Sequence, residues 1–213
     1  MGAEDYREAT LVVLGHGSSA RSESCAPVYQ HAARLRQRAF VAEVREAFWK
    51  QEPTLGAVLA TTLAPRVFIV PFFISAGYFT EEKIPQALGL RVPGQTQWAR
   101  TWWRDTQRLH YCAPVGSHPL MTRVILARAE EALAHHPFAE APSPSDTALF
   151  LAGHGTGKQA ESRRNVERQA DRIRALGRYA EAHAVFLEEP PLIAECWRLT
   201  PARYVVVVPF FIS

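Results

Sequence analysis

Two histidines sit between glycines: His16 in Gly15-His-Gly17 and His154 in Gly153-His-Gly155. Flanking glycines let the chain turn sharply and leave little bulk around an imidazole. Such an imidazole can ligate a borderline metal such as Co, Ni, Fe or Zn, or accept a proton near neutral pH. It can equally be an idle loop histidine at a tight strand-to-helix turn. Gly15-His-Gly-Ser-Ser19 ahead of a helix would also suit an anion held on backbone N–H groups. Neither GxGxxG nor GxxxxGK[ST] is present, however, and Lys158 follows Gly153 at the wrong spacing for a phosphate loop. A histidine phosphatase would carry Arg before His-Gly, where this chain has Gly15 and Gly153. Phosphate chemistry is therefore disfavoured. Ser18, Ser75, Ser213 and Arg163 are the remaining candidates for substrate contact. Arg163 and Arg164 follow Glu161-Ser162 at a helix start, as arginines that meet a ligand carboxylate or simply face solvent.

The elements that position these residues are written twice. Leu11-Val-Val-Leu-Gly-His-Gly17 answers to Leu149-Phe-Leu-Ala-Gly-His-Gly155, and Val70-Pro-Phe-Phe-Ile-Ser75 to Val208-Pro-Phe-Phe-Ile-Ser213. Both pairs are offset by the same step, since 154 − 16 and 209 − 71 both equal 138, so no gap separates them. Glu23/Glu161, Ser24/Ser162, Phe48/Phe186 and Pro53/Pro191 fall into line at that offset. An internal duplication explains this. The runs 11–14, 67–74, 148–152 and 204–212 are nearly continuous in Val, Ile, Leu and Phe, as in parallel strands buried on both faces. Residues 41–49 and 182–187 read as second strands, with Pro53 and Pro191 near the starts of following helices. Val28, Ala32 and Leu35, and Val166, Ala170 and Ile173, recur at helical spacing after each Gly-His-Gly. The expected fold is α/β: two tandem doubly wound parallel-sheet units with a cleft between them. The repeats run 1–136 and 147–213, joined by a linker at 137–146, with a helix over 119–135 closing the first. The second copy stops at Ser213, where the first continues, so it is expected to be incomplete at its C-terminus. In such sheets ligands bind at the carboxyl ends of the strands, where both Gly-His-Gly motifs, Ser75 and Ser213 lie.

A chain that is 47% hydrophobic and 21% charged is globular and not disordered. No window approaches the ~18 uninterrupted apolar residues of a membrane span, and the polar start MGAEDYREAT is no signal peptide. Cys25, Cys112 and Cys196 form no Cys-x-x-Cys pair, which argues against a disulfide framework or zinc ribbon and suits a reducing cytoplasm. A net charge of +3 does not call for nucleic acid but is compatible with an acidic small molecule. Gln95-Thr-Gln-Trp-Ala-Arg-Thr-Trp-Trp-Arg104 interleaves aromatics with arginines, as either a ligand-facing wall or a packing segment. His31, His110, His118, His135, His136 and His183 have no repeat partner and are expected to be structural or exposed.

Strand-Gly-His-Gly-Ser, a polar helix entry, an aromatic before Pro53, and then Val-Pro-Phe-Phe-Ile-Ser followed by a glycine resemble the sirohydrochlorin chelatase family, class II chelatases of the CbiX type. The resemblance spans both copies. It implies a metal chelatase of the lyase class that inserts Co2+ into sirohydrochlorin or a relative for cobalamin synthesis; Ni2+ and Fe2+ insertion occur on the same fold. The metal is then a substrate and no organic cofactor is needed. The family delivers it with two histidines, one in Gly-His-Gly and one in a Gly-x-His motif after the Pro-Phe-Phe strand. Replacing two pyrrole protons by M2+ needs neutral ligands that release the ion and a base for the protons.

The first copy departs from that pattern. Phe79 occupies the second histidine's place, and Lys83 stands where an acid usually precedes Ile-Pro. Phenylalanine cannot bind a metal. The second copy keeps His154, and its counterpart of Phe79 would be 79 + 138 = 217. His154 is thus expected to carry the metal, with His16 as the corresponding ligand of a supporting lobe. Glu188, whose counterpart is Lys50, is expected to take up protons. The alternative is a non-catalytic tetrapyrrole- or metal-binding protein of the same fold.

Overall fold

The computed structural model describes residues 5–18, 25–95, 97–135, 137–155 and 160–211. Its strands group into two sheets, and the chain divides into two packing units.

Unit 1 holds β1 (Ala9–Gly15), α1 (Ala26–Arg38), β2 (Glu43–Phe48), α2 (Leu55–Ala60), β3 (Arg66–Pro71), a π-helical turn (Tyr78–Lys83) running into α3 (Ile84–Ala87), β4 (Thr101–Arg104) and β5 (Gln107–Tyr111). Strand order is β2-β1-β3-β5-β4. The first four of these are parallel, while β4 runs antiparallel to β5 across a turn with Asp105 at φ 53°. Side chains alternate across β1. Val12 and Leu14 face a cluster with Leu55, Val58, Leu59, Ile69, Ile84 and Leu109. Val13 faces Val28, Ala32, Val44 and Phe48 under α1. Both faces are covered, which is why the strand reads as an uninterrupted apolar run. The antiparallel hairpin was not foreseen. It gives the 95–104 segment a packing role within unit 1: Trp98 and Trp102 lie against the core, and Arg100 stacks 4.6 Å from the Trp98 ring centroid. Trp103 points out to solvent.

Unit 2 holds α4 (Met121–Ala134), β6 (Thr147–Gly153), α5 (Ala160–Ala175), β7 (Glu181–Phe186), a 3-10 helix (Ile193–Arg198) and β8 (Tyr204–Pro209), with parallel strand order β7-β6-β8. All seven residues of β6 are buried. Leu149 and Leu151 meet Val166 and Ile173 of α5, while Ala148, Phe150 and Ala152 meet Val185, Ile193 and Cys196. The element after Pro191 is thus a 3-10 helix where the first copy has α2.

The packing units divide differently from the repeats. Helix α4 does not close the first copy. Its Ile125, Leu126 and Ala129 enter the core with Leu149, Leu151 and Phe186, and Thr122 hydrogen-bonds Gln169 of α5 at 2.7 Å. Residues 74–77 of the first copy also belong to unit 2. Asn165 Nδ2 donates to the carbonyls of Ile74 (2.6 Å) and Gly116 (3.2 Å), and Gln169 Nε2 to those of Gly116 and His118. Two buried amides one helical turn apart satisfy backbone carbonyls that would otherwise be orphaned. Among the described residues no helix is long and apolar enough to cross a membrane.

Candidate functional site

In each unit the first strand ends on the glycine before the histidine, level with the phenylalanine that ends the second strand: Gly15 pairs with Phe48 and Gly153 with Phe186. The next glycine turns the chain with positive φ, 74° at Gly17 and 68° at Gly155. A Cβ there would lie 2.9 Å from Gln51 Cγ in unit 1, and 2.6 Å from Phe186 Cβ in unit 2. Both the conformation and the space therefore demand glycine. Each histidine carbonyl accepts from the backbone two residues beyond the second strand, Lys50 N to His16 O at 2.9 Å and Glu188 N to His154 O at 3.2 Å. The two loops share one backbone frame, with opposite charges mounted on it.

In unit 2 His154 Nε2 lies 3.2 Å from Glu188 Oε1, with both side chains more than half exposed. Nε2 is thus the ring nitrogen turned to the carboxylate, and Nδ1 is the one on the far side of the ring. A carboxylate fixing the tautomer and orientation of a ligating histidine is a recurrent metal-site device.

In unit 1 His16 Nδ1 lies 2.9 Å from Gly17 O. The carbonyl accepts, so Nδ1 is the protonated nitrogen and Nε2 bears the lone pair. The ring stands edge-on to Phe79 at 4.6 Å between centroids and to Phe73 at 6.1 Å, and Lys50 Nζ lies 5.5 Å from the Phe79 centroid. Burial lowers the His16 pKa below its ordinary value, the Gly17 contact opposes this, and Lys50 lowers it further. Phe79 rides on the π-helical turn, a form of helix that recurs at functional sites.

The structure thus brings His154 together with Glu188, and sets His16 against Lys50 and Phe79. The Ser18 amide donates to Gln51 Oε1 at 3.0 Å. Ser75 lies on the 74–77 segment of unit 2, and Ser213 lies outside the described residues. Arg163 is committed locally: Nε to Glu167 Oε1 at 2.8 Å, a terminal nitrogen to Pro190 O at 2.8 Å, and the guanidinium over Phe186 at 4.7 Å. These contacts fasten α5 to the loop after β7. Gln51 and its counterpart Glu189, which pack over the two glycine turns, were missed; their position next to the Lys50/Glu188 pair was the available signal. Of the other histidines, His31, His110 and His183 pack on Phe72, Phe68 and Phe150. His118 and His135 bond nearby backbone, and His136 lies outside the described residues. Among the described residues no three His, Cys, Asp or Glu side chains are grouped to hold a metal.

The CbiX family model matches residues 10–132, more than half of the chain. This chain belongs to the CbiX family. A relative named a probable sirohydrochlorin cobaltochelatase, from Halobacterium salinarum, is 38% identical over 95% of this CbiX-family chain and 71% of its own length. Among solved structures, a multi-domain Deinococcus radiodurans protein with structural similarity to chelatases and two additional domains superimposes with a TM-score of 0.80 and 32% identity. That match covers 95% of this chain, which spans 43% of the larger protein. SirB from Bacillus subtilis, solved with Fe3+, superimposes over 94% of this chain and 75% of its own with a TM-score of 0.71. At 17% identity this last likeness concerns the fold of the CbiX-family chain alone.

Proposed function

We propose that this CbiX-family chain inserts a divalent metal, Co2+ in the first instance and Ni2+ or Fe2+ by the same chemistry, into sirohydrochlorin, with His154 and Glu188 as the metal-handling pair. The observation that carries the reading is the 3.2 Å contact between His154 Nε2 and Glu188 Oε1, on a loop whose copy in unit 1 bears Lys50 instead. His154 offers the ion an imidazole nitrogen, with the Glu188 carboxylate beside the other ring nitrogen. A neutral ligand binds a borderline cation without trapping it. The macrocycle gives up two N–H protons as the four ring nitrogens take M2+; both leave to solvent, one of them by way of water on Glu188. Family membership and the name of the Halobacterium relative support the substrate. The three free cysteines, none of them paired, support a reducing cytoplasm as the compartment.

The test is Co2+ insertion into sirohydrochlorin, followed by absorbance, for the wild type, His154→Ala and His16→Ala. Loss of the rate in His154→Ala with a mild effect in His16→Ala is the expected result; the opposite ranking overturns the assignment. A second reading, a protein that binds tetrapyrrole without metalating it, is favoured by the lack of a third metal-ligating side chain among the described residues. It wins if the wild type quenches sirohydrochlorin fluorescence yet inserts no metal.

A further inference from the structure

The loop of unit 1 has kept the backbone of a metal-handling site while reversing its charge. Lys50 takes the position of Glu188, and its amide makes the same bond to the histidine carbonyl. An ammonium there repels a divalent cation, so the change is more than a loss of ligand. Among the described residues Lys50 makes no ion pair, whereas the other described lysine, Lys83, is hydrogen-bonded to Tyr78. The surroundings also hold the cation in place. The Phe79 ring lies 5.5 Å from Lys50 Nζ, within cation–π reach, and the edge-on pairing with His16 fixes that ring.

We propose that Lys50, flanked by His16 and Phe79, is a carboxylate-binding subsite of unit 1, which docks a peripheral carboxylate of an acidic small molecule. The inference rests on the proposed function only for the source of that carboxylate, the acidic side chains of the tetrapyrrole. His16 is the reporter of occupancy. Its ring stands against Phe79, the ring under the Lys50 ammonium, so a ligand on Lys50 changes the surroundings of the His16 signals.

The full-length chain is titrated with tricarballylate, a small tricarboxylate that requires no tetrapyrrole chemistry, while the lysine Nζ and histidine ring signals are followed by NMR. The sequence has only three lysines, so Lys50→Gln assigns the signal directly, and a thermal melt confirms that the variant is folded. The expected result is a saturable shift of the Lys50 and His16 signals in the wild type, with the His16 response lost in Lys50→Gln. Signals that stay still in the wild type, or a His16 shift of equal size in Lys50→Gln, overturn the subsite. In a parallel insertion assay Lys50→Gln raises KM for sirohydrochlorin by up to about fivefold, the scale of one exposed ion pair, with kcat unchanged within error. A wild type that inserts no metal refutes the proposed function alone, and the subsite then stands or falls on the tricarballylate titration.

Discussion

Glu188→Lys writes the charge of unit 1 into unit 2, and its effect follows from the geometry. The carboxylate lies 3.2 Å from His154 Nε2. A metal on Nδ1, about 2 Å beyond a ring about 2 Å across, would sit about 7 Å from that charge. Exchanging −1 for +1 at about 7 Å from a +2 ion changes the Coulomb energy by about 2.4 kcal/mol in a water-like dielectric. The aqueous value is appropriate because both side chains are more than half exposed. Glu188→Lys is therefore expected to lower kcat/KM for Co2+ roughly fiftyfold, and Glu188→Gln, which removes half the change, roughly sevenfold. These ratios hold at about 0.01 M salt, where the screening length is about 30 Å; raising the salt to about 1 M shortens it to about 3 Å and should compress both. The assay is the initial rate of sirohydrochlorin metalation against free Co2+, at both salt concentrations. If Glu188→Lys stays within about twofold of wild type at low salt, then Glu188 does not face the metal and the pairing with His154 is an incidental surface contact.

Asn165→Ala removes the amide that serves the buried carbonyls of Ile74 and Gly116; it is expected to cost about 2–4 kcal/mol in urea unfolding, and a loss below about 0.5 kcal/mol would show those carbonyls satisfied otherwise. Gly155→Ala demands a left-handed alanine and a Cβ 2.6 Å from Phe186 Cβ, for about 2–4 kcal/mol of destabilisation. An unchanged melting temperature would contradict it. Burial disfavours protonated His16, so the unfolded chain takes up this proton first. His16 is thus expected to make stability fall as pH drops from about 6.5 through its depressed folded pKa. Melting temperatures of wild type and His16→Gln between about pH 7.5 and 5 should therefore converge or cross with acidification; parallel curves would refute the burial effect.

Much of this architecture is legible in the residues. Strands buried on both faces show as unbroken apolar runs, and β6 is the clearest case, with Leu149 and Leu151 facing one cluster and Phe150 the other. Duplication supplied the pairing of His16 with His154 and of Lys50 with Glu188, and hence the candidate site. The hairpin β4–β5 was illegible because Trp102 and Trp103 alternate between core and solvent over only four residues, too short a stretch to establish a period. The allegiance of α4 was illegible for another reason. An amphipathic helix declares which of its faces is buried, and nothing in Ile125, Leu126 and Ala129 says which sheet will bury it. Arg163 looked available for a ligand because its partners, Glu167 apart, come from the distant loop at Glu189–Pro190.

The clamp formed by Asn165 and Gln169 also sets an order of events during synthesis. Residues 74–77 leave the ribosome early, between β3 and the turn that carries Phe79, yet the donor that fixes the Ile74 carbonyl comes from α5, some ninety positions later. Folding proceeds from the N-terminus as the chain emerges. The first Gly-His-Gly loop and its strands can therefore assemble while translation continues, but the Ile74 carbonyl waits for its Asn165 donor until α5 is made. A nascent chain stalled before residue 165 would hold His16 on its strand while the Ile74 carbonyl still lacks that donor.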